Sequence, residues 1–231
     1  ISTGLAKVAL VSHVTSTGRE AWKSMIENRK WLDLIKDKDF FMLAQSQYEK
    51  HLNQNKKDYT VHEKFAKLNW TYYLSFKPDQ KKFFTKVKKG VVRPDSEQSH
   101  VNTNMMGEHH FQRGEEGLEE IKQLLNLDHC DVTLNNQAPG NQVGVHVDLN
   151  RNLFLNFFPE ETKDAKVSQL RKYIVFLQPW EIGQVFCLGA SAITKWNQGD
   201  TIEFPWYMPH YTANCSKANR SILFIAGITN D

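Results

Sequence analysis

Two imidazoles and one carboxylate stand in this chain at spacings that allow them to meet. In the run VGVHVDL, His146 and Asp148 are two residues apart, and on a strand such a pair projects to one face. His210 follows the break FPWYMP and opens the run HYTAN. Two histidines and one carboxylate on a β scaffold form the ligand set that holds non-haem iron(II) on one side and leaves three coordination positions open. Ten residues beyond His210, Arg220 begins the apolar run RSILFIAGI. A guanidinium entering an apolar interior is costly unless a carboxylate meets it, and its planar fork suits two-point carboxylate binding. The pattern predicts a catalytic metal centre at His146, Asp148 and His210, with an anion clamp at Arg220.

Such a centre needs strands to carry it. From Asp128 onward the chain breaks into short β-rich runs, CDVTL, QVGVHVDL, KYIVFLQPW, QVFCLG, AITKW, DTIEF, HYTAN and RSILFIAGI, separated by Pro, Gly, Asn or charged residues. Strands so short and closely spaced predict a sandwich or barrel. Upstream, residues 19–52 repeat apolar positions at helical spacing, which predicts one or two amphipathic helices buttressing a sheet. Residues 59–76 are β-branched and aromatic and read as strands. Pro78 opens a basic helix, PDQKKFFTKVKK, closed by Gly90. Residues 91–114 carry no period and read as a loop, placed to act as a lid. GEEGLEEIKQLLNL, acidic at its start and with Leu118, Ile121, Leu124 and Leu125 on one face, reads as a helix. The expected organisation is one catalytic domain over 1–231, helical or mixed over 1–127, with a β core over 128–231. The fold class is α+β.

Composition narrows the alternatives. Hydrophobic residues make up 40% and charged residues 24% of 231, ordinary for a globular chain of one sizeable core. No apolar run approaches the roughly 18 residues of a membrane-spanning helix, so no membrane partner is predicted and the expected location is the cytoplasm. Cys130, Cys187 and Cys215 form no C-x-x-C pair, and the expectation is buried free thiols in place of a disulfide framework or zinc finger. A net charge of +3 is too mild to name a nucleic acid as partner.

The text QAPGNQVGVHVD, then WNQGD, then PHYTANCSKANRSILFIAG resembles, over residues 135–227, the double-stranded β-helix core of the iron(II)/2-oxoglutarate-dependent oxygenases of prolyl-hydroxylase type, a jelly-roll or cupin-like fold. The resemblance implies iron(II) on His146, Asp148 and His210, the cosubstrate 2-oxoglutarate on Arg220, and O2 as co-reactant. It also implies oxidative decarboxylation to succinate coupled to oxidation of a second substrate. Halogenases of this superfamily lack the carboxylate ligand, so Asp148 favours hydroxylation. The family often places Ser or Thr two residues after the arginine, where this chain has Ile222. A hydroxyl partner for the cosubstrate must then come from Tyr173, Thr212 or Ser221, the last facing away from Arg220.

Thr212 and Asn214 alternate onto the face of His210 and can point at the cosubstrate or the metal's surroundings, or outward. Asn135 and Gln137 precede His146 and can also reach the cosubstrate. WNQGD reads as hairpin chemistry and Trp196 as core. His109 and His110 read as loop residues, Arg171 and Lys172 as charges flanking a strand, and the lysine-rich helix as a solvated face. Residues 150–166 and the 91–114 loop are expected to choose the substrate, for which a protein side chain, a free amino acid and a nucleotide all remain open. Two other classes fit: a cupin-like metal enzyme that does not use 2-oxoglutarate, and a noncatalytic β-sandwich binding module.

Overall fold

The structure is a computed structural model that describes residues 26–37, 59–62, 68–76, 80–81, 106–189 and 191–229. Two antiparallel sheets dominate it. The larger has seven strands: β1 (Thr60–His62), β2 (Gln80–Lys81), β3 (Met106–His110), β4 (His129–Gln137), β6 (Leu170–Phe176), β9 (Thr201–Phe204) and β11 (Arg220–Ile228), in the order β1-β9-β6-β11-β4-β3-β2. The smaller has four: β5 (Asn141–His146), β7 (Gln184–Leu188), β8 (Ser191–Ile193) and β10 (His210–Asn214), in the order β5-β10-β7-β8. Among the described residues helices are few: α1 (Trp31–Lys36), α2 (Trp70–Ser75), α3 (Glu116–Leu125) and a π-helical turn at Asn152–Phe157. This mostly antiparallel two-sheet arrangement fits a jelly roll. The larger sheet draws strands from both sides of residue 128.

Three apolar clusters organise the packing. One lies between the sheets, where Ile174, Phe176, Ile202, Phe204 and Ile222 of the larger meet Phe186 and Leu188 of the smaller. A second lies on the outer face of the larger sheet, where Val132, Leu134, Tyr173, Val175, Leu223 and Ile225 pack against Leu118, Ile121 and Leu125 of α3 and Tyr73 of α2. The helix expected at GEEGLEEIKQLLNL is present with the predicted buried face. The third closes one end, where Trp31 and Leu34 of α1 meet Phe154, Trp206 and Ile228. Of the helices expected over 19–52, only α1 falls among described residues.

Register assigns faces along the larger sheet, because residues directly opposite share a face. On β11 the inward set runs Arg220, Ile222, Phe224, Ala226; across from it on β4 stand Gln137, Asn135, Thr133 and Asp131. On β6, Phe176, Ile174 and Lys172 oppose Ile222, Phe224 and Ala226. Tyr173 therefore belongs to the opposite, helix-facing side.

Several local expectations are corrected. Residues 70–75 are helical: the Asn69 side chain accepts a hydrogen bond from the Tyr72 amide at 3.2 Å, and buried Tyr73 anchors the turn with its hydroxyl 2.8 Å from the Gly117 carbonyl. Gln80 and Lys81, read as the start of a basic helix, form a strand on β3, while residues 82–90 lie outside the described set. Met106–His110, read as loop, is β3, with His109 and His110 on it; residues 91–105 and the lid reading lie outside the described set. The 150–166 segment, read as loop, contains the π-helical turn. The WNQGD turn does not close a hairpin, because β8 and β9 belong to different sheets; Gly199, at φ +92, carries the chain between them. Trp196 is core, stacked on Phe176 at 4.2 Å.

Cys130 and Cys187 are buried, but Cys215 is exposed, correcting the expectation for that thiol. Burial pushes the Cys130 thiol up to about 12. Native protein treated with iodoacetamide at pH 8 should therefore gain one adduct, on Cys215, and three in denaturant. Peptide mass spectrometry reads both numbers, and a fast-reacting Cys130 would contradict the packing of the outer cluster.

Candidate metal centre

His210 stands at the head of β10, opposite His146 at the end of β5. Its position facing inward is simple alternation with Thr212 and Asn214. That of His146 is not. Thr212 opposes Val143 while His210 opposes His146, so Gly144 and Val145 together face Tyr211. This is a β-bulge, and its extra residue reverses the parity of the strand. Without it, inward-facing Val143 would bring Val145 inward and send His146 out; with it, Val145 is 59% exposed and His146 meets His210, ring centroids 4.3 Å apart. Asp148 lies beyond the strand end, so strand period does not place it; the irregular segment after β5 does.

The ligand atoms of His146, Asp148 and His210 all lie within 4.8 Å of one another, and no other such group of three occurs among the described residues. Asp148 Oδ1 is 3.3 Å from His146 Nε2, and Oδ2 is 3.5 Å from His210 Nε2. Each histidine uses Nδ1 on a backbone carbonyl: Gly144 O at 2.8 Å for His146 and Met208 O at 3.2 Å for His210. A carbonyl only accepts, so Nδ1 carries the proton and Nε2 presents its lone pair toward the carboxylate. That is the tautomer a metal ligand requires, fixed from behind by the backbone. Burial lowers the His210 pKa to about 3, keeping the ring neutral near pH 7. Its Nε2 is buried and makes no hydrogen bond. A buried imidazole nitrogen without a hydrogen bond, beside a carboxylate and a second imidazole, fits a divalent cation with borderline N/O preference.

No family model and no curated protein matches the chain. Solved structures similar to it include both prolyl hydroxylases and cupin barrels. A Pseudomonas putida prolyl-4-hydroxylase is 12% identical over 81% of this chain and 100% of that one, with TM-score 0.45. The viral collagen prolyl hydroxylase of Paramecium bursaria Chlorella virus-1, in complex with 2OG, is 16% identical over 74% and 97%, with TM-score 0.43. A cupin 2 conserved barrel domain protein of Salinispora arenicola is 10% identical over 59% and 87%, with TM-score 0.32. Likeness this distant assigns no chemistry, which rests on the residues of this chain.

Asp148 has a further partner that sequence reasoning missed. Lys172, read as a flanking charge, is buried on the inward face of β6 with its ammonium bonded to Asp148 Oδ2 and lying 5.1 Å from the Phe204 ring centroid. Burial alone would push the Asp148 carboxyl up, but the Lys172 ammonium holds it well below the usual carboxylate range. The one available signal was parity: Lys172, Ile174 and Phe176 alternate together.

Arg220 is 1% exposed. Its Nη2 donates to Gln137 Oε1, its Nη1 donates to Val185 O at 3.2 Å, and its Nε has no partner. Among the described residues no carboxylate pairs with it. Burial pulls its pKa down to about 9, which leaves it cationic at neutral pH.

The remaining predicted residues divide. Thr212 lies beside the guanidinium, donating to the same Val185 carbonyl at 2.9 Å and sitting 3.4 Å from Gln137 Oε1. Asn135 is on the inward face with its buried Oδ1 unpartnered. Asn214 is not available to a ligand: Nδ2 donates to Gln137 O and Ala218 O, both at 2.8 Å, and Oδ1 accepts from Ser216 N and Oγ. It is an anchor of the β10–β11 turn. Tyr173 packs in the outer cluster against the helices, so the structure does not bring its hydroxyl to the site. Ser221 faces away from Arg220, as expected. His109 and His110 do not converge on a common centre: His110 Nδ1 meets Thr133 Oγ1 at 2.9 Å, while His109 lies 3.5 Å from Glu115.

Proposed function

We propose that this chain is an iron(II)- and 2-oxoglutarate-dependent oxygenase, most simply a hydroxylase, acting as a single catalytic domain whose 128–231 part carries the site. The observation that carries the reading is the convergence of His146, Asp148 and His210 with Nε2 of each histidine turned to the carboxylate. These residues would hold the metal. When bound, iron(II) supplies the redox chemistry that couples decarboxylation of the keto acid to oxidation of a second substrate, and it belongs to the cofactor.

What the protein contributes is position. Arg220 offers a buried cation with neutral partners and an unused N–H, which suits the distal carboxylate of 2-oxoglutarate. It shares the Val185 carbonyl with Thr212, and Thr212 is two residues from His210 on one strand face, roughly 7 Å along it. A five-carbon diacid would span that interval, with its far carboxylate toward Arg220. Thr212, Gln137 and Asn135 supply the neutral polar atoms around it, in place of the hydroxyl that Ile222 does not provide. Phe186, Phe204 and Phe224 around His210 exclude water from the imidazole.

Anaerobic loading with iron(II), followed by oxygen and 2-oxoglutarate, tests the proposal: succinate should form with iron(II) and not after chelation, even without a primary substrate, at a slow uncoupled rate. A metal-loaded protein that turns over no 2-oxoglutarate would instead support the cupin-like enzyme class.

A further inference from the structure

A buried ammonium is an expensive way to fill space, and a methionine or leucine of similar volume would serve packing as well or better. Lys172 is 2% exposed, and its side chain is held between the Phe204 ring and a single oxygen of Asp148. The two oxygens of that carboxylate are thereby made unequal. Oδ1 faces His146 Nε2 at 3.3 Å and has no other bond among the described residues, whereas Oδ2, which lies 3.5 Å from His210 Nε2, is also bonded to the ammonium. A carboxylate free on both oxygens can chelate a cation through both and take two coordination positions; one with an oxygen bonded elsewhere takes one.

We propose that Lys172 is a positioning residue that reserves Asp148 Oδ2, so that Asp148 engages a metal through Oδ1 alone and a coordination position stays open for the cosubstrate. The inference rests on the metal reading above and concerns how many positions the protein occupies. It also accounts for placing a cation beside a cation site. The like charge weakens metal binding, and what is gained is one-oxygen ligation.

The test uses the full chain loaded with cobalt(II), whose visible absorption reports coordination number, and 2-oxoglutarate added without oxygen. Lys172→Met should stay folded and bind cobalt(II) at least as tightly as wild type. Its spectrum should shift toward higher coordination, and the 2-oxoglutarate needed for the spectral response should rise tenfold or more. Lys172→Ala should behave likewise, and propylammonium, entering the vacated space, should restore part of the response; a purely structural lysine would not give that rescue. A Lys172→Met protein with the wild-type spectrum and wild-type 2-oxoglutarate response overturns the proposal. So does a folded Lys172→Met that no longer binds cobalt(II), which would make Lys172 a support of the whole site. Wild-type protein that binds no cobalt(II), or a His210→Ala variant that binds it as wild type does, overturns the metal reading itself, and this inference falls with it.

Discussion

His210→Ala should lose metal binding by well over 100-fold and abolish succinate formation. Loss of a group that merely orients a ligand costs about 10- to 100-fold in metal affinity, so loss of the ligand itself must exceed that range. Of the three candidate ligands His210 is the one the fold holds most firmly, being 1% exposed, hydrogen-bonded through Nδ1 and packed near Phe204 at 5.5 Å and Phe224 at 5.8 Å between ring centroids. Removing the ring opens a cavity among aromatics, for which about 2–4 kcal/mol of lost stability is expected, comparable with other large-to-small core substitutions. The two effects separate experimentally. Urea denaturation without metal reports the cavity, and anaerobic iron(II) titration of the folded fraction reports the ligand. His210→Gln retains more volume and should recover much of the stability while remaining metal-deficient. Wild-type affinity in either variant would remove His210 from the centre.

Much of this candidate centre was legible because its residue types are rare among apolar strands: histidine, aspartate and arginine each need a reason to enter the space between two apolar sheets. The route to its geometry was less legible. Period two predicted that His146 and Asp148 share a strand face, yet the strand stops at His146 and a bulge at Gly144 and Val145 turns His146 inward. A bulge leaves no mark in the alternation of a six-residue strand. Tyr173 and Lys172 failed for a related reason. β6 is buried on both faces, Val175 and Tyr173 under the helices and Ile174 and Phe176 between the sheets, so the hydrophobic pattern does not alternate and the face of any one residue cannot be read. On β3, the run MGEHH is too polar to resemble a strand, and pairing with β4 decides it. At residues 70–75 the aromatic run favoured a strand until the Asn69 cap and the seat of Tyr73 against α3 overruled propensity.

Arg220→Met should weaken 2-oxoglutarate without weakening metal, and should not destabilise the protein in its absence. Truncating one side of a buried charge pair costs about 2–5 kcal/mol, so the KM for 2-oxoglutarate should rise by about 30-fold to more than 1,000-fold. Iron(II) affinity should stay within about threefold, because Arg220 touches none of His146, Asp148 or His210 and the coupling is through space alone. The stability sign follows from the same surroundings. Without cosubstrate the guanidinium is a buried cation among neutral acceptors, Gln137 Oε1 and Val185 O, with its Nε unpartnered. Replacing it by an apolar side chain removes that desolvation cost, against which stands one neutral acceptor left short of a donor, since the single Thr212 hydroxyl proton serves either Val185 O at 2.9 Å or Gln137 Oε1 at 3.4 Å. The ligand-free variant should therefore melt no lower than wild type, yet lose the stabilisation that wild type gains on adding metal and 2-oxoglutarate together. Thermal melts with and without the diacid read both signs. An Arg220→Met protein that melts well below wild type and binds 2-oxoglutarate normally would make the arginine a structural residue, and would move the reading toward a metal enzyme that needs no keto acid.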